Sequence, residues 1–285
     1  MVALNCLVVT ADDFGLSREV NEAVEIGHLT GILSAASLMV AAPAAADALE
    51  RAKRAPSLRV GLHVALTDAR PALPPERIPL LVDKNGRLRS DLARFGAELA
   101  LSRAMRRQMR AEIEAQFRAF QATGFMLDHV SVHQHYHLHP LVGAMVIDAG
   151  RRYGMRAIRV PRELRSLIPG DGARRRVEDA LSFRLAAKVK RVGLVTPDAV
   201  FGLRWSGEFT NARMRYLLER LPHGFWEIYT HPATSDAFLG HAPGYRYADE
   251  LRALTDPANA EALRISGRRL CGYQDIVGVA STPIM

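Results

Sequence analysis

The segment Leu4-Asn5-Cys6-Leu7-Val8-Val9-Thr10-Ala11-Asp12-Asp13-Phe14-Gly15-Leu16-Ser17 passes from a β-branched apolar run to two acids, a glycine and a serine. The run over 4–10 predicts a buried parallel strand. Ser17 is placed to cap a helix over 18–29, which Gly31 stops. A strand that ends in paired carboxylates and hands over to a helix is the unit from which parallel α/β folds build their sites, at the strand ends.

The same alternation continues outward. Strands are expected over 34–40 and 59–66, the latter carrying Gly61-Leu62-His63, with an alanine-rich helix over 44–55 between them. Residues 71–89 are rich in proline and turn formers and predict a long loop at the rim of a site. A helix over 102–123, a strand over 127–135, a helix over 141–153 and a short strand over 157–160 follow. Strands alternating with helices predict an α/β fold on a parallel sheet, open or closed into a barrel, with a closed or distorted barrel carrying loop insertions favoured, in a single domain over 1–285. The alternation weakens over the basic region 162–211. There Val177, Leu181, Leu185 and Val189 lie four apart among arginines and lysines, the pattern of a peripheral helix with either a solvated basic face or a surface for anionic lipid. A final strand over 226–230 ends in His231-Pro232.

The chain has 285 residues, 48% hydrophobic and 24% charged, which are globular values that exclude a disordered tail, a collagen-like chain and a disulfide miniprotein. Lysine and arginine outnumber acids 38 to 30, and the resulting +8 favours anionic partners. No zinc-finger cysteine pattern or aromatic RNA-binding signature accompanies that charge, so nucleic-acid binding has charge alone behind it and no specific nucleic acid is expected. Cys6 and Cys271 are the only cysteines. No disulfide framework is read from them, and a reducing, cytoplasmic location is expected. No signal segment is read at the N-terminus. The most apolar window, 31–46, contains Pro43 and is too short to span a bilayer comfortably.

Polar clusters recur where strands end: Asp12-Asp13, His63, the run His133-Gln134-His135-Tyr136-His137-Leu138-His139, and His231. Carboxylate with imidazole suits zinc, magnesium, manganese or iron(II). Residues two apart share a strand face but stand about 6.5–7 Å apart, so one ion takes one or at most two members of the histidine run. His135, His137 and His139 are then expected to orient ligands, meet substrate or fill the barrel end, and Arg159 to orient a carboxylate or serve as a surface or structural group. Aspartates at such junctions also cap or turn the chain. Two histidines and a carboxylate fit a non-haem iron oxygenase as well, but the second aspartate and His231 suit hydrolytic acid–base work better. The residues themselves do not say which of Asp12 and Asp13 does which task.

In chain order, Thr10 to Ser17, Gly61-Leu62-His63, His133 to His137, Thr230-His231-Pro232 and Gly272-Tyr273-Gln274-Asp275 resemble the motifs of the YdjC-like carbohydrate deacetylases. Asp128-His129-Val130, His137-Leu138-His139-Pro140, Ser37-Leu38-Met39-Val40 and Leu73-Pro74-Pro75 look most like the hopanoid-biosynthesis branch of that family. The resemblance implies a distorted TIM-like barrel and one divalent ion, zinc or magnesium, held by Asp13, His63 and His133. It implies Asp12 as general base and His231 as general acid. The implied substrate is an N-acetylglucosaminyl hopanoid glycolipid, or for the broader family a chitooligosaccharide. A homodimer and peripheral contact with the inner face of an anionic membrane are further expectations.

Overall fold

A computed structural model describes residues 5–170 and 172–277. β1 (Cys6–Phe14) is buried along its whole length, α1 (Arg18–Thr30) follows, and then β2 (Ala35–Leu38), α2 (Ala45–Arg54) and β3 (Arg59–Val64) repeat the unit. Ser17 caps α1 by accepting from the Val20 amide at 3.3 Å. The segment 71–89 is a loop containing a 3-10 turn at Pro75–Arg77. Next come α3 (Leu92–Leu101), which the sequence reading did not anticipate, α4 (Arg103–Ala122), β4 (Val130–Val132) and α5 (Pro140–Arg152). The basic region supplies α6 (Ala173–Arg191) and a second unanticipated element, β5 (Ala199–Phe201). α7 (Asn211–Arg220), β6 (Phe225–Thr230), α8 (Tyr247–Thr255), α9 (Pro257–Ile265), β7 (Arg269–Leu270) and α10 (Gln274–Val277) complete the described chain.

The strands lie in the order β4-β3-β2-β1-β6-β5, all neighbours parallel, with β7 pairing β1 outside this path. Parallel strands with helical crossovers must be covered by helices, which is why β1 and β6 are buried throughout. Beyond β4 the sheet continues through single bridges, Val130 to Ile158 and Ala157 to Val195. The expected strand over 157–160 is therefore two bridging residues, and the barrel is distorted because part of its wall lacks a full strand.

Three further expectations change. The strand over 127–135 is short: pairing stops at Val132, and residues His133–Leu138 form a 3-10 turn with Gln134 and His135 at φ 51° and 53°. The two-residue face argument therefore does not apply to the histidine run. The cysteines, from which no disulfide was read, are joined: Cys6 in β1 bonds Cys271 after β7, with Cα atoms 6.2 Å apart. In α6 the buried residues are Arg175, Ser182, Leu185 and Val189, whereas Val177, expected on the apolar stripe, is 58% exposed and so lies outside it. Among the described residues no helix is long and apolar enough to cross a membrane.

Candidate active site

The C-terminal end of β1 carries the first site residues. Ordinary pleating would send Asp12 and Asp13 to opposite faces. Instead the pairing with β2 shifts between Ala11 and Phe14, and Asp13 takes φ 61°, a left-handed conformation uncommon outside glycine. This bulge brings both carboxylates to the same cavity. The turn after it is fixed by Asn21 of α1, whose Oδ1 accepts from the Gly15 amide at 2.7 Å and whose Nδ2 donates to the Ala44 carbonyl at 3.0 Å.

Three donor atoms converge on one point. Asp13 Oδ1 stands 3.3 Å from His63 Nε2 and 3.1 Å from His133 Nδ1, and the two ring nitrogens are 3.3 Å apart. His63 comes from the end of β3, and its other nitrogen, Nδ1, lies 2.7 Å from Ser131 Oγ in β4, which fixes the ring. His133 is the first residue past β4, where the chain leaves the sheet. Donors about 2.0–2.2 Å from one ion stand about 3 to 3.5 Å apart. Asp13 Oδ1 is buried with no hydrogen-bonding partner among the described residues, a costly state for a carboxylate oxygen unless a cation compensates it. The trio therefore fits a divalent ion.

Asp12 faces a different partner. Its Oδ2 accepts from Nη1 of Arg159, which is wholly buried, while its Oδ1 is free of hydrogen bonds among the described residues. Burial opposes ionisation of Asp12, but the Arg159 guanidinium and then His63 outweigh it and hold the carboxyl well below the usual range. Arg159 is itself fixed by Glu227 of β6, to which Nε donates at 2.9 Å and Nη2 at 2.7 Å. Its guanidinium carbon lies 4.5 Å over the Tyr229 ring.

His231 follows β6 directly and lines the same cavity, its backbone amide donating to Glu250 and its Nδ1 lacking a partner among the described residues. His135 lines the cavity with its Nε2 2.8 Å from Tyr229 Oη. Burial, Arg159 and His137 push the His135 pKa well below the ordinary histidine value. His137 and His139 stand outside the cavity lining. His137 is buried, with Nε2 2.9 Å from the Arg159 carbonyl, and burial lowers its pKa to about 4. His139 precedes α5 and packs on Tyr136. Sequence reasoning passed over Glu227 and Ser131. The signal for Glu227 was present: a charge inside the apolar strand Phe-Trp-Glu-Ile-Tyr-Thr must be paired if buried.

The cavity has a volume of about 770 Å³. Met39, Val40, Pro43, Leu92, Leu203 and Leu239 supply apolar wall, with Asp12, Asp13, His63, His133 and His231 at its polar part. The sequence profile of the YdjC-like proteins matches residues 6–264. The chain belongs to this family. A carbohydrate deacetylase of Geobacillus stearothermophilus is 30% identical over 94% of this YdjC-like chain and 96% of its own length. The mouse carbohydrate deacetylase is 29% identical over 95% of this chain and 94% of its own length. A solved structure from Enterococcus faecalis V583, of a candidate cellobiose-phosphate cleavage protein, shares the fold with a TM-score of 0.78 at 23% identity, covering 96% of this chain and 99% of that one.

Proposed function

We propose that this YdjC-like chain is a metal-dependent hydrolase that deacetylates an N-acetylglucosamine-type sugar, with an N-acetylglucosaminyl hopanoid glycolipid as its favoured substrate. The observation that carries this reading is the convergence of Asp13, His63 and His133 beside a separate, Arg159-held Asp12 in one cavity. Kinship with carbohydrate deacetylases supports the reaction class. The apolar wall, with Leu239 87% exposed on the loop that lines the cavity, supports an acetylated sugar bearing an apolar aglycone.

Asp13, His63 and His133 would hold the ion, zinc or magnesium. Such an ion supplies Lewis acidity, polarising an acetyl carbonyl and making a neighbouring water acidic enough to attack near neutral pH. Asp12 stays ionised, and its unpaired Oδ1 accepts the proton that the water loses. Arg159 offers one N–H to the other oxygen and so fixes the direction in which Oδ1 points. As the carbon–nitrogen bond breaks, the sugar amine is a poor leaving group until protonated, and we assign His231, which lines the cavity, as its proton donor. Water and the acetamide are consumed; acetate and a free amine are formed.

Purified protein loaded with zinc or magnesium should release acetate from acetylated glycolipid, from chitooligosaccharides, or from both, with the glycolipid turned over faster. Equal turnover under anaerobic conditions separates this from oxygenase chemistry. Absence of acetate from both classes overturns the assignment, and a preference for the oligosaccharide overturns the glycolipid part.

A further inference from the structure

Gly272-Tyr273-Gln274-Asp275 has no task in the chemistry above, yet its tyrosine is completely buried. The Tyr273 ring stacks on His129 at 4.7 Å and meets Phe225 edge-on at 5.5 Å, contacts that phenylalanine would make equally well. Its hydroxyl donates to Glu227 Oε2. Glu227 thereby receives two donors on each oxygen: Thr10 Oγ1 and Arg159 Nη2 on Oε1, both at 2.7 Å, and Arg159 Nε and Tyr273 on Oε2. With Glu227 immobilised, two nitrogens of the Arg159 fork are taken, and Nη1 is left for Asp12 Oδ2.

The tyrosine is placed by a second buried group. Asp128 accepts the amides of Tyr273 and Gln274, each at 3.1 Å, and is held by His129 Nδ1 at 2.9 Å, whose Nε2 lies 3.0 Å from Ser37 Oγ. This Ser37–His129–Asp128 chain has the composition of a nucleophilic triad, but all three residues are buried and none lines the cavity. Its geometry serves the backbone of residues 273 and 274. Gly272 permits the approach, since a Cβ there would stand 2.6 Å from Asp128 Oδ1. Pairing of β7 with β1 and the Cys6–Cys271 bond anchor the segment from the other side.

We propose that Tyr273 is a positioning residue for the Asp12 carboxylate, acting through Glu227 and Arg159, so that the C-terminal motif orients the proton acceptor at the far end of the chain. The inference rests on the reading of Asp12 as that acceptor. Removing the hydroxyl frees one side of Glu227 Oε2, and the Arg159 fork and Asp12 lose their fixed direction while substrate contacts stay as they are.

The test compares Tyr273→Phe with Gln274→Ala. The Gln274 side chain donates from Nε2 to the Leu127 and Asp128 carbonyls, and among the described residues none of its hydrogen bonds is to Glu227, Arg159 or Asp12. Tyr273→Phe should lower kcat about tenfold, leave KM and zinc content unchanged, and speed hydrogen exchange of the Arg159 Nε–H in arginine-labelled protein. Gln274→Ala should lower the melting temperature with kcat unchanged. Wild-type kcat in Tyr273→Phe, or equal kcat losses in the two variants, overturns the proposal. If wild-type protein releases acetate from no acetylated sugar, the functional reading fails and the exchange measurement decides the relay: an unaltered Arg159 Nε–H overturns it.

Discussion

Asp12 and Asp13 are chemically identical neighbours, and their surroundings divide the labour between them. Asp13 Oδ1 sits with two imidazole nitrogens at 3.1 and 3.3 Å, whereas Asp12 is paired with a buried guanidinium. Asp13→Ala should therefore abolish stoichiometric zinc binding. Asp12→Asn should retain zinc while losing about 10²–10⁴-fold in turnover, as removal of a general base does. Metal analysis of both variants beside their rates checks this, and the reverse pattern exchanges the roles. His137 gives a pH prediction for the metal-free protein. Its folded pKa of about 4 lies below the ordinary 6.5, so between these values the unfolded chain binds more protons than the folded one. Stability contributed by the neutral imidazole is thus complete above pH 6.5 and is lost as pH falls toward 4, by at most about 3 kcal/mol. Denaturant midpoints across that range should fall more steeply for wild type than for His137→Leu.

Single substitutions in the strands and helices test how the elements bring these groups together. Gly61 in β3 faces His129, and a Cβ there would stand 2.5 Å from the ring, which Asp128 and Ser37 prevent from moving aside. Gly61→Ala should cost about 1–3 kcal/mol in denaturant unfolding through overpacking. A cost near zero would mean that the ring yields and that Asp128 and Tyr273 are less firmly held than their contacts indicate. The elements were unequally legible. β1, α1, β2, α2, β3 and β6 were readable because apolar runs ended in sharp turn or capping signals. The strand before His133 was overextended because an apolar–polar alternation continues through Val132 into a turn with two left-handed residues. β5 is three residues long, too short for a periodic signal, and α3, α7, α8, α9, β7 and α10 passed unread.

At the scale of the whole molecule, the surface helix α6 combines cations with two exposed large apolar side chains, Val177 and Phe183. The outward side of α6 presents Arg176, Val177, Phe183, Arg184, Lys190 and Arg191, all exposed, with Phe183 66% accessible. Cations around an exposed aromatic suit an anionic lipid surface, and as an extension of the glycolipid reading we propose that this face meets such a surface. Vesicles containing phosphatidylglycerol should retain the wild-type protein in sedimentation, neutral phosphatidylcholine vesicles should not, and Phe183→Ser with Lys190→Glu should weaken retention severalfold. Equal sedimentation with both vesicle types would remove the membrane from the proposal.

By itself the sequence determined the parallel α/β architecture and the residue types at the strand ends, because apolar periodicity and turn chemistry are local properties. It also displayed Asp12, Asp13, His63, His133 and His231 as a recurring pattern. The residue types by themselves left open which aspartate faces the imidazoles; the family resemblance implied Asp13, and the geometry that puts it there depends on a bulge against β2 and on φ at Asp13, which only the tertiary structure displays. Tertiary structure alone revealed Glu227 as a partner of Arg159 and Tyr273 as a further donor to Glu227, because 46 residues separate Glu227 from Tyr273 in sequence while a hydrogen bond joins them in space. Such pairings arise when the sheet and its covering helices pack around buried charge, and no local pattern encodes them.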